Sequence, residues 1–275
     1  MRYPKFLEEN GCIGFVAPSF GCAIEPYQSA FKNALNKWEK MGYKTHLGPN
    51  CFASSGIGIS NEPSLCGQEL NDWYCTEEND ILISCGGGEL MCEVVPFMDF
   101  TRMSQTQAKW FMGYSDNTHF TFLSATLMDT AAIYGPCAAA FGMEPWHESI
   151  QTAWDLLCGK TDTVKSFKLW EKESLKDAEH PLLPYNVTEP VKIKTFVCEN
   201  GQVIETTDAV EIEGRLIGGC MDILQMYPGT SYDKVKGFNE KYKEDGIIWF
   251  LEACELNVIS IRRVLWQMKA AGWFE

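Results

Sequence analysis

Residues 107 to 135 limit the fold most. Lys109-Trp110-Phe111-Met112-Gly113 reads as an approach strand, Tyr114-Ser115-Asp116-Asn117-Thr118 as a sharp turn, and the residues to about Asp129 as a helix. A strand that turns directly into a helix holds a serine hydroxyl at its tip, where the main-chain N–H groups that open the helix converge. Gly113 can adopt backbone angles closed to other residues and lets the turn tighten without a Cβ clash, and Asp116 is expected to complement the positive end of the helix. Such an elbow brings a nucleophile and oxyanion donors within one turn of each other, as acyl transfer requires. The same residues also fit a plain helix cap at Ser115, because serine is among the best capping residues. The segment alone leaves both readings open.

The residues before it supply a context. Gly11-Cys12-Ile13-Gly14-Phe15-Val16-Ala17-Pro18-Ser19 is an apolar run ending in turn residues, the pattern of a buried parallel strand. Tyr27 to Met41 places Tyr27, Phe31, Leu35 and Trp38 at spacings of three and four, the mark of an amphipathic helix. Ile81-Leu82-Ile83-Ser84-Cys85 is a second buried run, and it opens into Gly86-Gly87-Gly88-Glu89. Strand, helix, strand, glycine loop, strand and elbow make an N-terminal α/β unit: an open parallel sheet flanked by helices. Ligands of such sheets bind beyond the carboxyl ends of the strands, where Gly86–Gly88 and Ser115 fall. The glycine loop is not a phosphate loop, since no Gly-Lys-Ser/Thr follows, and it lacks the spaced glycines of a dinucleotide site. A turn that merely needs positive φ accounts for it equally well.

The apolar strand pattern gives way between about Gly159 and Pro190 to mixed charge and to Pro181, Pro184 and Pro190. Beyond it, Lys192 to Cys198 alternates as a half-buried strand, Glu199-Asn200-Gly201 reads as a turn, and Gly246 to Leu251 reads as a buried strand delivering Glu252. The expected division is therefore 1–160, a linker over 161–190, and a smaller strand-rich α/β unit over 191–275. A net charge of −14 argues against a nucleic-acid partner. The absence of any long apolar run argues against a membrane-spanning segment, and the N-terminus leads into no signal-peptide core, so a cytoplasmic protein is expected. The 12 cysteines are scattered, with no Cys-x-x-Cys pair and no zinc spacing, which fits reduced thiols and predicts no metal.

Taken together, Gly113-Tyr114-Ser115-Asp116-Asn117-Thr118, Ser84-Cys85-Gly86-Gly87-Gly88-Glu89, Tyr134-Gly135-Pro136, Gly214-Arg215-Leu216-Ile217-Gly218-Gly219 and Trp249-Phe250-Leu251-Glu252 resemble the LD-carboxypeptidase family of serine peptidases. Within it they are most similar to the branch of the microcin C immunity protein. The resemblance covers essentially the whole chain in the family's order. It implies a parallel α/β domain joined to a smaller C-terminal domain, with the site at their junction and no cofactor. It makes Ser115 the nucleophile and Glu252 the acid that orients a histidine across a gap about the width of an imidazole ring. It assigns the oxyanion to the N–H of Asp116 and one from Gly87 or Gly88, and makes Glu89 and Asn117 candidates for substrate contact. The implied partner is a small peptide, such as a murein tetrapeptide, or a peptidyl-nucleotide; a homodimer is left open.

The chain departs from the family's pattern in one large respect: the family's Gly-His segment, which carries the base, has no counterpart before Glu275. His46, His119, His147 and His180 are the available histidines, and none stands in a comparable context. His119 is one helical turn beyond Ser115, yet a base also needs an orienter in line with it, so a structural role is expected. Either the chain is a piece of a longer enzyme or it is a shortened homologue that has lost hydrolysis. The first is favoured, because Trp266 and Trp273 on the final helix meet no following strand. Two smaller departures are Cys220, where the family has an asparagine, and Ala253, where it has a second acid, with Glu255 following. Cys220 is read as a small buried hydrophobe and not as a second nucleophile.

Overall fold

The computed structural model describes all residues from 1 to 275. Its first 134 residues build a five-stranded parallel sheet in the order β2-β1-β3-β4-β5. The strands are β1 (Cys12–Val16), β2 (Lys44–Leu47), β3 (Ile81–Ser84), β4 (Phe111–Gly113) and β5 (Ile133–Tyr134). The connecting helices are α1 (Tyr27–Lys40), α2 (Pro63–Cys75), the short α3 (Met91–Val94) and α4 (Phe100–Gln105), and α5 (Thr118–Met128).

Side-chain alternation divides the core between the two faces of this sheet. Ile13, Phe15, Ile81, Ile83 and Met112 face one core with Phe31 and Trp38 of α1. Val16, Leu82 and Phe111 face the other, with Leu70 of α2 and Phe120 of α5. Both faces are covered, so the strands read as continuous apolar runs and not as alternating ones. The order places β1 between β2 and β3, and the chain leaves these two neighbours in opposite directions. The crevice at such a switch point is where open α/β sheets bind ligands. Here it brings the ends of β1 and β3 together, with the Phe20 N–H donating to the Gly87 carbonyl at 2.8 Å.

After α6 (Glu148–Leu157) come two antiparallel ribbons, β6 (Leu169–Glu171) with β7 (Val187–Pro190), and β8 (Thr195–Glu199) with β9 (Gln202–Thr206). The stretch read as a linker thus contains the β6/β7 ribbon. Asn200 and Gly201 make the β8–β9 turn, both at positive φ (51° and 77°).

A second sheet pairs β10 (Arg215–Cys220) and β11 (Ile247–Glu252) in parallel, with α7 (Met221–Leu224), α8 (Val235–Tyr242) and α9 (Val258–Ala270) around it. β11 is half-buried from Ile247 to Leu251 and exposed at Glu252, not buried as its apolar sequence suggests, because it pairs with only one neighbour. The second sheet docks on α5: Phe122 stacks on Tyr227 and on Trp273, with ring centroids 5.8 and 5.5 Å apart. Burying one such aromatic contributes about 1.5–3 kcal/mol. Trp273 is fully buried, stacks on Trp249, and donates from Nε1 to Asp233 at 3.1 Å, so the expectation that it lacks a partner is corrected. Trp266 is exposed. The helix that follows the elbow is therefore also the platform on which the second sheet rests.

Candidate active site

β4 ends at Gly113, Tyr114 is extended, and Ser115–Asn117 form a single 3-10 turn before α5 begins. The left-handed residue of this elbow is Ser115, at φ +61°. Gly113 is not in the left-handed region, which corrects the expectation on its backbone angles, while its expected role in sparing the turn a Cβ clash fits the geometry. Glycine is required at 113 for space: a Cβ there would lie 2.7 Å from Cγ of Asn117. A non-glycine residue in the left-handed region is strained and persists only where its surroundings fix it. The Cβ that Gly87 lacks would sit 3.2 Å from Ser115 Oγ, so the glycine loop closes directly over the serine. Gly88 alone in that loop has positive φ. The main-chain N–H groups of Gly87, Gly88 and Asp116 donate to no group of the chain.

Asn117 is buried and clasps the elbow to the glycine loop, its side-chain amide donating to the carbonyls of Gly86 at 2.8 Å and Tyr114 at 3.1 Å. This removes it as a substrate contact. Glu89 is exposed at the rim of the loop.

The Asp116 side chain does not sit over the start of α5. It turns inward, accepts from the hydroxyl of Ser19 and from the Met91 N–H at 2.9 Å, and is buried. Burial raises its carboxyl above the usual range, against the pull of those two donors. Its second oxygen faces Nε2 of His119 at 3.5 Å, and neither atom has a hydrogen-bond partner. Nδ1 of His119 meets the hydroxyl of Tyr227. Burial pushes this imidazole down to about 3, so at neutral pH it is uncharged and its contact with Asp116 is not an ion pair. His119 is thus tied to the packing between α5 and the second sheet, as a structural histidine should be.

The other histidines also bond elsewhere: His46 to Asn79, His147 to Ser149 and His180 to Asp177. None of the four hydrogen-bonds to Ser115.

Glu252 ends β11 beside the elbow. Its Oε1 accepts from the Tyr134 hydroxyl at 2.5 Å, and that hydroxyl in turn accepts from the Ser115 N–H at 2.9 Å. The interval between elbow and acid is thus bridged by a phenol, where the resemblance implied a gap filled by solvent or a loop. Gly219 makes the approach of the second sheet feasible. It lies at φ +139°, and a Cβ there would meet the Thr118 side chain at 2.6 Å, while the following N–H of Cys220 donates to Thr118 Oγ1 at 3.0 Å. Cys220 is buried, and burial followed by the charge of Glu252 pushes its thiol up to about 12, which makes it inert. The turn after Glu252 is held by Asp222, which accepts the N–H groups of Cys254 at 3.0 Å and Glu255 at 3.2 Å.

Three residues of this cluster carried no role in the sequence reading: Tyr134, Ser19 and Tyr227. Ser19 was visible only as the end of the first apolar run, Tyr134 only as part of the Tyr134-Gly135-Pro136 motif, and nothing in the sequence marks Tyr227. A strand order that joins β1, β3, β4 and β5 at one edge would have gathered Ser19, Gly86–Gly88, Ser115 and Tyr134.

The arrangement can be set beside known proteins. Residues 13–135 match the family model described as the LD-carboxypeptidase N-terminal domain, and residues 213–275 that described as the LD-carboxypeptidase C-terminal domain. No curated protein matches the chain. Among solved structures, the microcin C7 self immunity protein MccF in its wild-type apo state has a TM-score of 0.79 at 20% identity, over 100% of this chain and 77% of that one. MccF in complex with glutamyl sulfamoyl guanosine gives 0.78 at 19% identity, over 98% and 76%. An MccF-like protein from Streptococcus pneumoniae in complex with AMP gives 0.74 at 18% identity, over 96% and 79%. Likenesses at this identity establish a shared fold. Together the two domain matches cover well over half of the sequence, and the chain belongs to the LD-carboxypeptidase family.

Proposed function

We propose that this chain carries the nucleophile, acid and oxyanion site of a serine hydrolase that cleaves an amide bond, with Ser115 as nucleophile. The observation that carries the reading is Ser115 held at φ +61° at the tip of a strand–turn–helix, under a glycine loop with free N–H groups. Strained backbone at a nucleophile is characteristic of such elbows. Ser115 Oγ attacks the carbonyl, a histidine takes the proton, and Glu252 orients that histidine and stabilises it as imidazolium. The N–H groups of Asp116 and of Gly87 or Gly88 receive the oxyanion. Each such donor is worth about 3 kcal/mol of transition-state stabilisation. None of the four histidines hydrogen-bonds to Ser115, and slow acylation is what this reading expects of the residues described.

The substrate classes that fit the family are a murein tetrapeptide, cut before its terminal D-residue, and a peptidyl-nucleotide. The second class is supported by relatives of the same fold solved with aminoacyl-sulfamoyl nucleosides or AMP. The test is hydrolysis of both substrates by the chain and by Ser115→Ala: turnover should be slow and should vanish in the variant. An unchanged rate in the variant removes Ser115 from the chemistry.

One observation favours a second reading. Unpaired N–H groups beside a serine to which no histidine hydrogen-bonds suit the capture of a carboxylate without cleavage. Equal binding of a tetrapeptide by the wild type and Ser115→Ala, with no cleavage by either, would select it.

A further inference from the structure

The bridge between the elbow and Glu252 is made by a residue with no assigned role. Tyr134 ends β5, an edge strand of the first sheet, and pairs with Gly113 in register, which sets it beside the base of the elbow. Its ring packs on Phe250 with centroids 5.6 Å apart. Phe250 lies two residues before Glu252, on the same face of β11. Three elements, β4, β5 and β11, thus meet at one phenol.

The direction of its two hydrogen bonds is forced. A main-chain N–H can only donate, so the phenol oxygen accepts from Ser115, and the single phenolic proton remains for Glu252.

We propose that Tyr134 is a positioning residue that locks the two halves of the site together. By accepting the Ser115 N–H it holds the elbow in its left-handed turn and keeps that N–H from competing with Asp116 for the oxyanion. By donating to Oε1 of Glu252 it fixes the carboxylate against the elbow and leaves Oε2 for the base. The first effect belongs to the folded chain as it stands. The second gains its kinetic consequence from the hydrolase reading, on which it rests.

The variant is Tyr134→Phe, which removes the hydroxyl and keeps the ring on Phe250. Two measurements separate this inference from the reading beneath it. The first is amide exchange and the proton shift of Ser115 by NMR, which needs no turnover. Exchange at Ser115 should accelerate by about tenfold on losing a hydrogen bond, with the exchange of β4 core amides unchanged. The second is kinetics on a substrate that wild type cleaves and Ser115→Ala does not. Here kcat should fall by about tenfold or more with KM unchanged, because a positioning loss is felt in the transition state and not in ground-state binding. A Ser115 amide that exchanges as in wild type overturns the proposal. So does an unchanged kcat in Tyr134→Phe where Ser115→Ala is inactive. If Ser115→Ala keeps wild-type turnover, the hydrolase reading falls, and the exchange result alone decides whether Tyr134 holds the elbow.

Discussion

Replacing Ser115 by glycine should stabilise the protein while abolishing its chemistry. Ser115 sits at φ +61°, where an L-residue costs about 1–2 kcal/mol relative to ordinary backbone angles. Glycine carries no such cost, but the freedom it adds to the unfolded chain offsets about 0.4–1 kcal/mol. The fair comparison is with Ser115→Ala, because both variants lack the hydroxyl and only one keeps the Cβ. Ser115→Gly should therefore be the more stable by about 0.5–1 kcal/mol. For a chain of this size that is a Tm higher by roughly 1–4 °C, since each kcal/mol moves Tm by about 2–4 °C. Little packing is lost with the Cβ, because the serine is only part-buried. Urea or thermal denaturation of the two variants side by side reads the difference. If Ser115→Gly is instead the less stable by about 1 kcal/mol, as for glycine in ordinary helical backbone, the strained elbow is refuted and Ser115 is a plain cap.

Two further expectations come from buried titratable groups. Glu69 is 2% exposed, accepts the N–H groups of Ala17 and Asn50 at 2.8 Å each, and is pushed up to about 7 by burial. A carboxyl raised in the folded state stabilises fully below its unfolded pKa and loses that contribution as pH rises through about 7. Stability measured by urea should thus fall between about pH 4.5 and 7 by an amount on the order of 3 kcal/mol, and Glu69→Gln should flatten the curve; an equally steep fall in the variant would remove Glu69 as its source. His119 has the opposite sign: its imidazole, pushed down to about 3 by burial, contributes stability that is present above its unfolded value and lost as pH falls toward 3. His119→Gln should reduce the acid sensitivity between about pH 6.5 and 3, and an unchanged acid limb would show that the buried histidine does not cause it.

Much of the first sheet was legible because its strands are buried on both faces and its helices on one. Ile81–Ser84 and the spacing of Phe31 and Trp38 leave few alternatives. The elbow was legible for the same reason, since a buried strand that stops at a glycine before a polar turn places Ser115 at the sheet's carboxyl edge, although Asp116 and Asn117 prove buried. Which residue bears the strain was not, because glycine at 113 answers a need for space around Asn117, and sequence does not separate space from backbone angle. Asn117 was a candidate substrate contact on the resemblance alone, and the Gly86 carbonyl, distant in sequence, claims its amide. Tyr134 and Tyr227 act only through partners more than a hundred residues away, Glu252 and His119, and no local pattern encodes such a pairing. Trp273 was misjudged because its partners Phe122 and Trp249 come from α5 and β11, and the packing of two sheets on one helix is a tertiary fact.

The central claim is that Ser115 is the residue that takes the acyl group. The most direct measurement is intact-mass and peptide mass spectrometry after exposure of the chain to an activated ester, with Ser115→Ala in parallel. The account predicts a single slow acyl adduct on the peptide carrying Ser115, lost in the variant. An adduct on a cysteine such as Cys220, or equal labelling of the two proteins, would contradict it.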